Sequence, residues 1–345
     1  MKRALFIGGT GTISGAVAAR AAREGWELFL LNRGSDTGRI TQGAHLLRGD
    51  AADEAAVTRL TAGMHFDTVV DFIAFTPDQV ERDIRRFAGR TEQYIFISSA
   101  SAYEKPPRSF RITEKTPLRN PYWQYSRDKA ACEERLFSEY RQNGFPVTVV
   151  RPSHTYDERK TPVAVHGARG SWQVIDRIRR GKPVIVPGDG SSLWVLTWSG
   201  DFACGFVGLM GNPAAVGESF HITSDEALTW DAVYDAIGRA WGVEPVKLHV
   251  STDFLAACDP ALRGGLLGDK SNSVCFDNAK LRVLVPDFTD FLPFEEGARR
   301  CADYMRAHPE RQIPDPEFDH FCDRVAAARD AALRAFRQGD GALPA

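Results

Sequence analysis

The sequence predicts an α/β protein: a doubly wound parallel sheet covered by helices on both faces, with a smaller C-terminal substrate lobe. Three observations carry this. A short apolar run, a glycine turn and a helical stretch open the chain in that order. Buried-strand runs then alternate with helix-length segments as far as Pro152, and the regularity drops after Tyr156. The length of 345 residues suits a main domain with a smaller lobe.

Ala4-Leu5-Phe6-Ile7 is long enough for one buried strand. Gly8-Gly9-Thr10-Gly11-Thr12-Ile13-Ser14 forms the turn, and Gly15 to Ala22 has the composition of a helix. Gly8 lets the chain turn sharply. Gly11 has no Cβ, so backbone can approach a pyrophosphate at the helix N-terminus, where unpaired N–H groups favour an anion. A third glycine is expected three residues on; Ser14 stands there and is small enough for close packing. This is a dinucleotide-binding opening, with Gly8, Thr10, Gly11, Thr12 and Ile13 as cofactor contacts.

The second strand, Glu27 to Leu31, ends in Asn32-Arg33-Gly34. An NAD site would place an acid there for the ribose 2′-hydroxyl. None is present, and Arg33 offers a guanidinium for a 2′-phosphate. NADP(H) is therefore the first choice and NAD the alternative; the plain alternative for Arg33 is a side chain in water. A third strand near His45–Arg48 runs into Gly49-Asp50, and a helix follows to Leu60. Thr68 to Ala74 is an apolar strand carrying Asp71, an acid that needs a partner if buried. Pro77 opens a helix to about Gly89 with Val80, Ile84 and Phe87 on one face; Arg82, Arg85 and Arg86 are read as a solvated cluster. The strand Gln93 to Ile97 ends in Ser98-Ser99, a long helix runs from near Pro121 to Asn143, and Pro146 to Pro152 is a further strand. Later helices are expected near 171–180, 229–241, 295–308 and 318–337, with a frayed tail from Gly339.

Composition excludes several functions. The chain is 43% hydrophobic and 26% charged with a net charge of −2, which gives no electrostatic case for nucleic acid or an anionic membrane. Six scattered cysteines with no CxxC pair fit reduced thiols better than disulfides or a metal site. The apolar run behind Met1-Lys2-Arg3 is too short for a signal peptide, and no segment reaches membrane-spanning length. A cytoplasmic protein is expected.

The chemistry resides in Tyr125-Ser126-Arg127-Asp128-Lys129, inside the long helix. A spacing of four places Tyr125 and Lys129 on one face, a turn apart. An ammonium beside a phenol stabilises phenolate, which makes tyrosine an acid–base group near neutral pH. Ser99, at the end of the preceding strand, is placed to hold a substrate oxygen.

With these pieces in order the chain resembles an extended, atypical short-chain dehydrogenase/reductase of the NAD(P)-dependent epimerase/dehydratase family. The matching motifs run from the glycine turn through Tyr125-x-x-x-Lys129 and Arg151-Pro152 to Gly188-Asp189-Gly190, then weakly through Phe276–Lys280 to Glu295-Glu296-Gly297. The resemblance implies a Rossmann-type dinucleotide domain at 1–156 and 195–225, a substrate lobe at 157–194 and 226–313, and a C-terminal helix and tail at 314–345. It implies Tyr125 as catalytic base, Lys129 as the residue that binds ribose and tunes it, and Ser99 as holder of the substrate oxygen. Asp50 is implied at the adenine, Ala74 along the cofactor, and Pro152 and Ser153 at the nicotinamide. Homodimerisation through 77–89 and 121–142 is a family-level expectation.

Departures from the family pattern bear on the substrate. Ala100-Ser101 replaces the Asp-Glu pair of the dehydratases, which argues against 4,6-dehydration. His154 stands where asparagine is usual, either as a second acid–base group or as a neutral hydrogen-bond donor. Trp194 stands where an arginine usually clamps a diphosphate, which removes charge that a diphosphate wants. Trp194 and Trp198 either stack on substrate or pack in the core; Lys270, Arg263 and Arg169 are alternative anion contacts, and Lys160 and His166 weaker candidates. Ser101, His154 and Trp194 are the candidate substrate residues. The expected activity is hydride-transfer chemistry, as oxidoreductase or epimerase, on a hydroxyl or keto group of a sugar or nucleotide-sugar-like molecule. The alternatives are an aromatic-ketone reductase and a non-catalytic nucleotide- or RNA-binding relative with Arg177, Arg179, Arg180 and Lys182 as its basic patch.

Overall fold

The computed structural model describes residues 1–34 and 40–339; the expected tail at 340–345 lies outside the described residues. The chain divides into two units. The first comprises Met1–Asp157, Val195–Ala227 and Val274–Leu292, and the second Glu158–Trp194, Leu228–Ser273 and Pro293 onward. The stretch 274–292, assigned to the smaller lobe by sequence, thus belongs with the first unit. Its Leu281, Val285 and Phe288 are buried among the apolar side chains of that unit. The C-terminal helix groups with the second unit.

In the first unit β1 (Arg3–Ile7) leads into α1 (Thr12–Arg23), β2 (Glu27–Asn32), β3 (His45–Arg48), α2 (Glu54–Leu60), β4 (Thr68–Asp71), α3 (Pro77–Phe87), β5 (Tyr94–Ile97) and α4 (Gln124–Asn143). Strands Val147–Pro152 and Ser219–Ile222 complete a seven-stranded sheet. Its order runs from Ser219–Ile222 through Val147–Pro152, β5, β4, β1 and β2 to β3, with all six neighbouring pairs parallel. Strands buried on both faces read as continuous apolar runs, and Ala4 to Ile7, Val69 and Val70 are fully enclosed. One face packs Val17, Ala18 and Ala21 of α1 with Phe202 and Phe206. The other packs Val80, Ile84 and Phe87 of α3 with Cys132 and Leu136 of α4. Because β2 lies on one side of β1 and β4 on the other, the carboxyl ends of β1 and β4 form the switch point where open α/β sheets take ligands.

Three local readings change. The β4 strand stops at Asp71 rather than Ala74, because the Asp71 carboxylate itself accepts the N–H groups of Ile73 (2.6 Å) and Ala74 (2.8 Å). Those amides are the partners the buried acid needed. Arg86 is not solvated: it is 8% exposed and donates to Ala51 O at 2.9 Å. The helix Ser199–Leu209 escapes the sequence pattern because three glycines interrupt it. At Gly208 a Cβ would stand 2.6 Å from Val285 Cγ1, so glycine is required there by close approach.

The second unit pairs strands Val184–Pro187 and Lys247–Val250 in parallel and packs helix Trp230–Trp241 on Phe294–Ala307. Arg177 is fully buried and donates to Asp319 (2.6 Å) and Asp323 (2.8 Å) of the C-terminal helix Pro316–Gly339. Arg180 and Lys182 pair with the same acids, and Arg179 lies over Trp172 and Trp241. The expected basic patch is therefore a neutralised anchor for the terminal helix. Among the described residues no helix is long and apolar enough to cross a membrane.

Candidate active site

A cavity of about 620 Å3 opens in the first unit at the switch point. Gly8, Thr10, Gly11, Thr12 and Ile13 form one wall, and Asn32, Arg33 and Asp50 another. Gly8 has φ 81°, and a Cβ there would stand 2.6 Å from Ile73 Cγ2, so the turn admits only glycine. Ser14 keeps the place of the third glycine by bonding: its hydroxyl accepts the Gly11 N–H at 2.8 Å.

The lining carries two orphaned buried atoms, Asn32 Nδ2 and Thr155 Oγ1, with no partner among the described residues. Asn32 Oδ1 accepts the Gly9 N–H at 3.1 Å, which leaves its amide nitrogen as the group in need of an acceptor. An unmet buried donor costs about 1–3 kcal/mol. A glycine wall at a helix N-terminus, an unmet donor at the end of β2 and a guanidinium beside it fit a dinucleotide.

Arg33 lines this cavity, and a second arginine, which sequence reading missed, lies behind Gly34 of its wall. Parallel pairing sets Arg48 opposite Asn32, and a Cβ on Gly34 would stand 2.6 Å from Arg48 Nε. Register between strands is the signal, and it is invisible along the chain. Asp50 also lines the cavity, with its carboxylate accepting Ala52 N–H at 2.8 Å.

Phe72, Ile73 and Ile97 line the cavity next to the predicted Tyr–Lys pair. Lys129 is 2% exposed, and its ammonium donates to Ala74 O at 2.6 Å and Ile97 O at 2.7 Å. Burial brings the ammonium down to about 8, with Cys132, Asp71 and Glu133 opposing. The ammonium lies 5.9 Å from the centre of the Tyr125 ring. Tyr125 is half-buried between Trp123, with ring centres 5.0 Å apart, and Phe75, at 6.3 Å. Neither aromatic neighbour was read from the sequence; Trp123 precedes the helix and Phe75 lies on a loop 50 positions away.

Ser99 follows β5 and is half-buried. Its Oγ lies 2.8 Å from Ser101 Oγ and accepts the Ser101 N–H at 3.2 Å, while Ser126 donates to Ser101 at 2.8 Å. Because Ser126 donates to Ser101, Ser101 can donate to Ser99, which leaves the Ser99 hydroxyl hydrogen unused by this pair. Ser101 is thus a support rather than a substrate contact: it is 5% exposed and its hydroxyl is engaged. The Ser153 hydroxyl turns to Val195 O (3.3 Å) and Thr197 (3.2 Å), and Pro152 ends its buried strand. His154 is half-buried on a short strand paired with Leu196. Trp194, in the second unit, is 4% exposed and stacked on Trp230 with ring centres 5.4 Å apart. Of its two readings, core packing is the one the structure supports, because 4% exposure leaves the indole little surface to offer a substrate.

An α/β sheet with this switch point, glycine turn and Tyr–Lys helix defines a dinucleotide-dependent class of protein, and comparison with known families agrees. Residues 4–223 match the model of the NAD dependent epimerase/dehydratase family, and the chain belongs to that family. It is 26% identical over 242 residues to 2'-dehydrokanamycin reductase of Streptomyces kanamyceticus, covering 70% of this chain and 67% of that one. It is 27% identical over 263 residues to the chloroplast stem-loop binding protein of 41 kDa b of Arabidopsis thaliana, covering 72% and 66%. Among solved structures, UDP-glucose 4-epimerase of Thermus thermophilus in complex with NAD superposes with a TM-score of 0.67 at 22% identity, covering 88% of this chain and 99% of that one.

Proposed function

We propose that the protein is an oxidoreductase or epimerase that exchanges a hydride with a hydroxyl or keto carbon of a sugar-like substrate, using NADP(H) in preference to NAD(H). The observation that carries this is the placement of Lys129. Its buried cation sits on the carbonyls of Ala74 and Ile97, beside the cavity lining, and faces the half-buried ring of Tyr125. Gly8, Gly11 and Asn32 would hold the dinucleotide, and Arg33 and Arg48 a 2′-phosphate. When bound, the nicotinamide supplies or takes the hydride. Tyr125 gives its phenolic proton to the carbonyl oxygen during reduction and takes it back during oxidation. Lys129 stabilises the phenolate in between, and the Ser99 hydroxyl holds the reacting oxygen.

The absence of an arginine at Trp194 and its enclosure against Trp230 support a sugar unit not carried on a nucleoside diphosphate, and the reductase relative is consistent with that class. Against RNA binding, Arg177, Arg180 and Lys182 of the patch that would serve it are paired with Asp319 or Asp323. The test is a panel of keto-sugars, nucleotide-linked sugars and aromatic ketones, scored by oxidation of NADPH and NADH. Turnover of free or glycosidic keto-sugars with NADPH supports the reading. Turnover of aromatic ketones alone overturns the substrate class, and none with any ketone in either direction overturns the enzyme.

A further inference from the structure

Lys129 donates to two main-chain carbonyls, and a buried carboxylate pins the segment that carries each one. On one side Ala74 O belongs to a loop whose N–H groups at Ile73 and Ala74 are gathered by Asp71, 4% exposed. Behind Asp71 stands Asp83, which takes the Tyr94 hydroxyl at 2.8 Å. Burial and the neighbouring Asp71 push the Asp83 carboxyl well up. On the other side Ile97 O lies one residue before Ser98. The Ser98 hydroxyl donates to Glu133 at 2.5 Å, and its N–H donates to Val150 O at 2.7 Å. Glu133 is 1% exposed, one turn beyond Lys129 on α4, and is gripped by Arg151 through Nε (2.9 Å) and the terminal nitrogen (2.5 Å). Arg151 is held in turn by Tyr103 OH at 3.1 Å and Glu114 O at 3.2 Å.

We propose that Asp71 and Glu133 are positioning residues of the reaction, each acting through a main-chain carbonyl that fixes the Lys129 ammonium beside Tyr125. Buried carboxylates in this number are costly and repay their cost only when firmly bonded. Here the bonds converge on the two oxygens that receive one lysine. The charged and titratable groups facing that lysine are Asp71, Cys132 and Glu133, with the rings of Phe75, Phe96 and Tyr125 around it. The two carboxylates supply the opposing charge that keeps the lysine protonated, and they also hold its acceptors in place. The proposal rests on the Tyr125–Lys129 reading above.

The experiment measures the Tyr125 phenol midpoint by ultraviolet difference titration of the full chain against Tyr125→Phe. Ser98→Ala cuts only the hydroxyl link from Glu133 to the strand end. Asp71→Asn keeps an oxygen for the two N–H groups and removes the charge. Glu133→Gln strands a buried guanidinium and is liable not to fold, so the first two variants decide. Each is expected to raise the midpoint by about one unit toward the ordinary phenol value near 10, with the thermal unfolding curve still cooperative. A wild-type midpoint in either variant strikes that carboxylate from the proposal, and in both overturns it. If the wild type itself shows no phenol titrating below about 10, the Tyr125–Lys129 reading fails first, and the proposal with it.

Discussion

Replacing Lys129 with methionine keeps an unbranched side chain, one heavy atom shorter, and deletes its charge. The ammonium lies 5.9 Å from the Tyr125 ring centre. At an effective dielectric constant of about 20, Coulomb's law gives about 3 kcal/mol of phenolate stabilisation at that distance. Loss of that amount moves the phenol up by about two pH units and slows a step that depends on it about a hundredfold. Stability follows a different account. Bringing a lysine from 10.5 down to about 8 corresponds to about 3 kcal/mol of strain on the charged form, which methionine relieves. Against that, the carbonyls of Ala74 and Ile97 lose their donor, at about 1–3 kcal/mol each. The two effects offset, so Lys129→Met is expected to unfold near the wild-type temperature while turnover of the best ketone from the panel falls about a hundredfold. Thermal melts and initial rates with NADPH make the comparison. A variant that melts normally and turns over at the wild-type rate would refute the electrostatic role of Lys129.

Other consequences can be measured alongside. Arg33→Ala and Arg48→Ala should each weaken NADPH about tenfold or more, the worth of a charge-assisted bond, and leave NADH affinity unchanged in fluorescence titration. Gly8→Ala, at φ 81° and 2.6 Å from Ile73 Cγ2, should cost at least about 1–2 kcal/mol in denaturant unfolding and block dinucleotide binding. Lys129 should make stability rise with pH between about 8 and 10.5, because over that window the unfolded chain keeps a proton the folded chain sheds; the rise should vanish in Lys129→Met. Arg177→Met, which removes the buried guanidinium that holds Asp319 and Asp323, should cost about 1.5–3 kcal/mol, the worth of a hydrogen bond to a charged group, and loosen the C-terminal helix in hydrogen exchange.

The parallel sheet was legible because strands buried on both faces leave unbroken apolar runs, and the glycine turn because positive φ at Gly8 leaves little choice of residue. Tyr125 and Lys129 were legible because helical spacing is a local property. What the sequence hides is what separate strands bring together. Arg48 comes to lie beside Asn32 and Gly34 of the cavity wall through the pairing of β3 with β2, and Phe75 reaches Tyr125 from a loop before α3. Trp194 looked like a substrate platform because nothing along the chain reveals Trp230 behind it. Arg177 looked like a binding surface because its acids lie more than 140 positions away. Ser101, in the place of the dehydratases' acidic pair, was a candidate substrate residue, whereas its hydroxyl is engaged with Ser99 and Ser126.

The most direct measurement is the rate of hydride transfer from NADPH to the ketone in Tyr125→Phe, with NADPH affinity determined on the same sample. Removal of a positioned proton donor is expected to slow transfer by about 10²–10⁴-fold while affinity for NADPH stays at the wild-type value. Transfer at the wild-type rate with the cofactor fully bound would contradict the account.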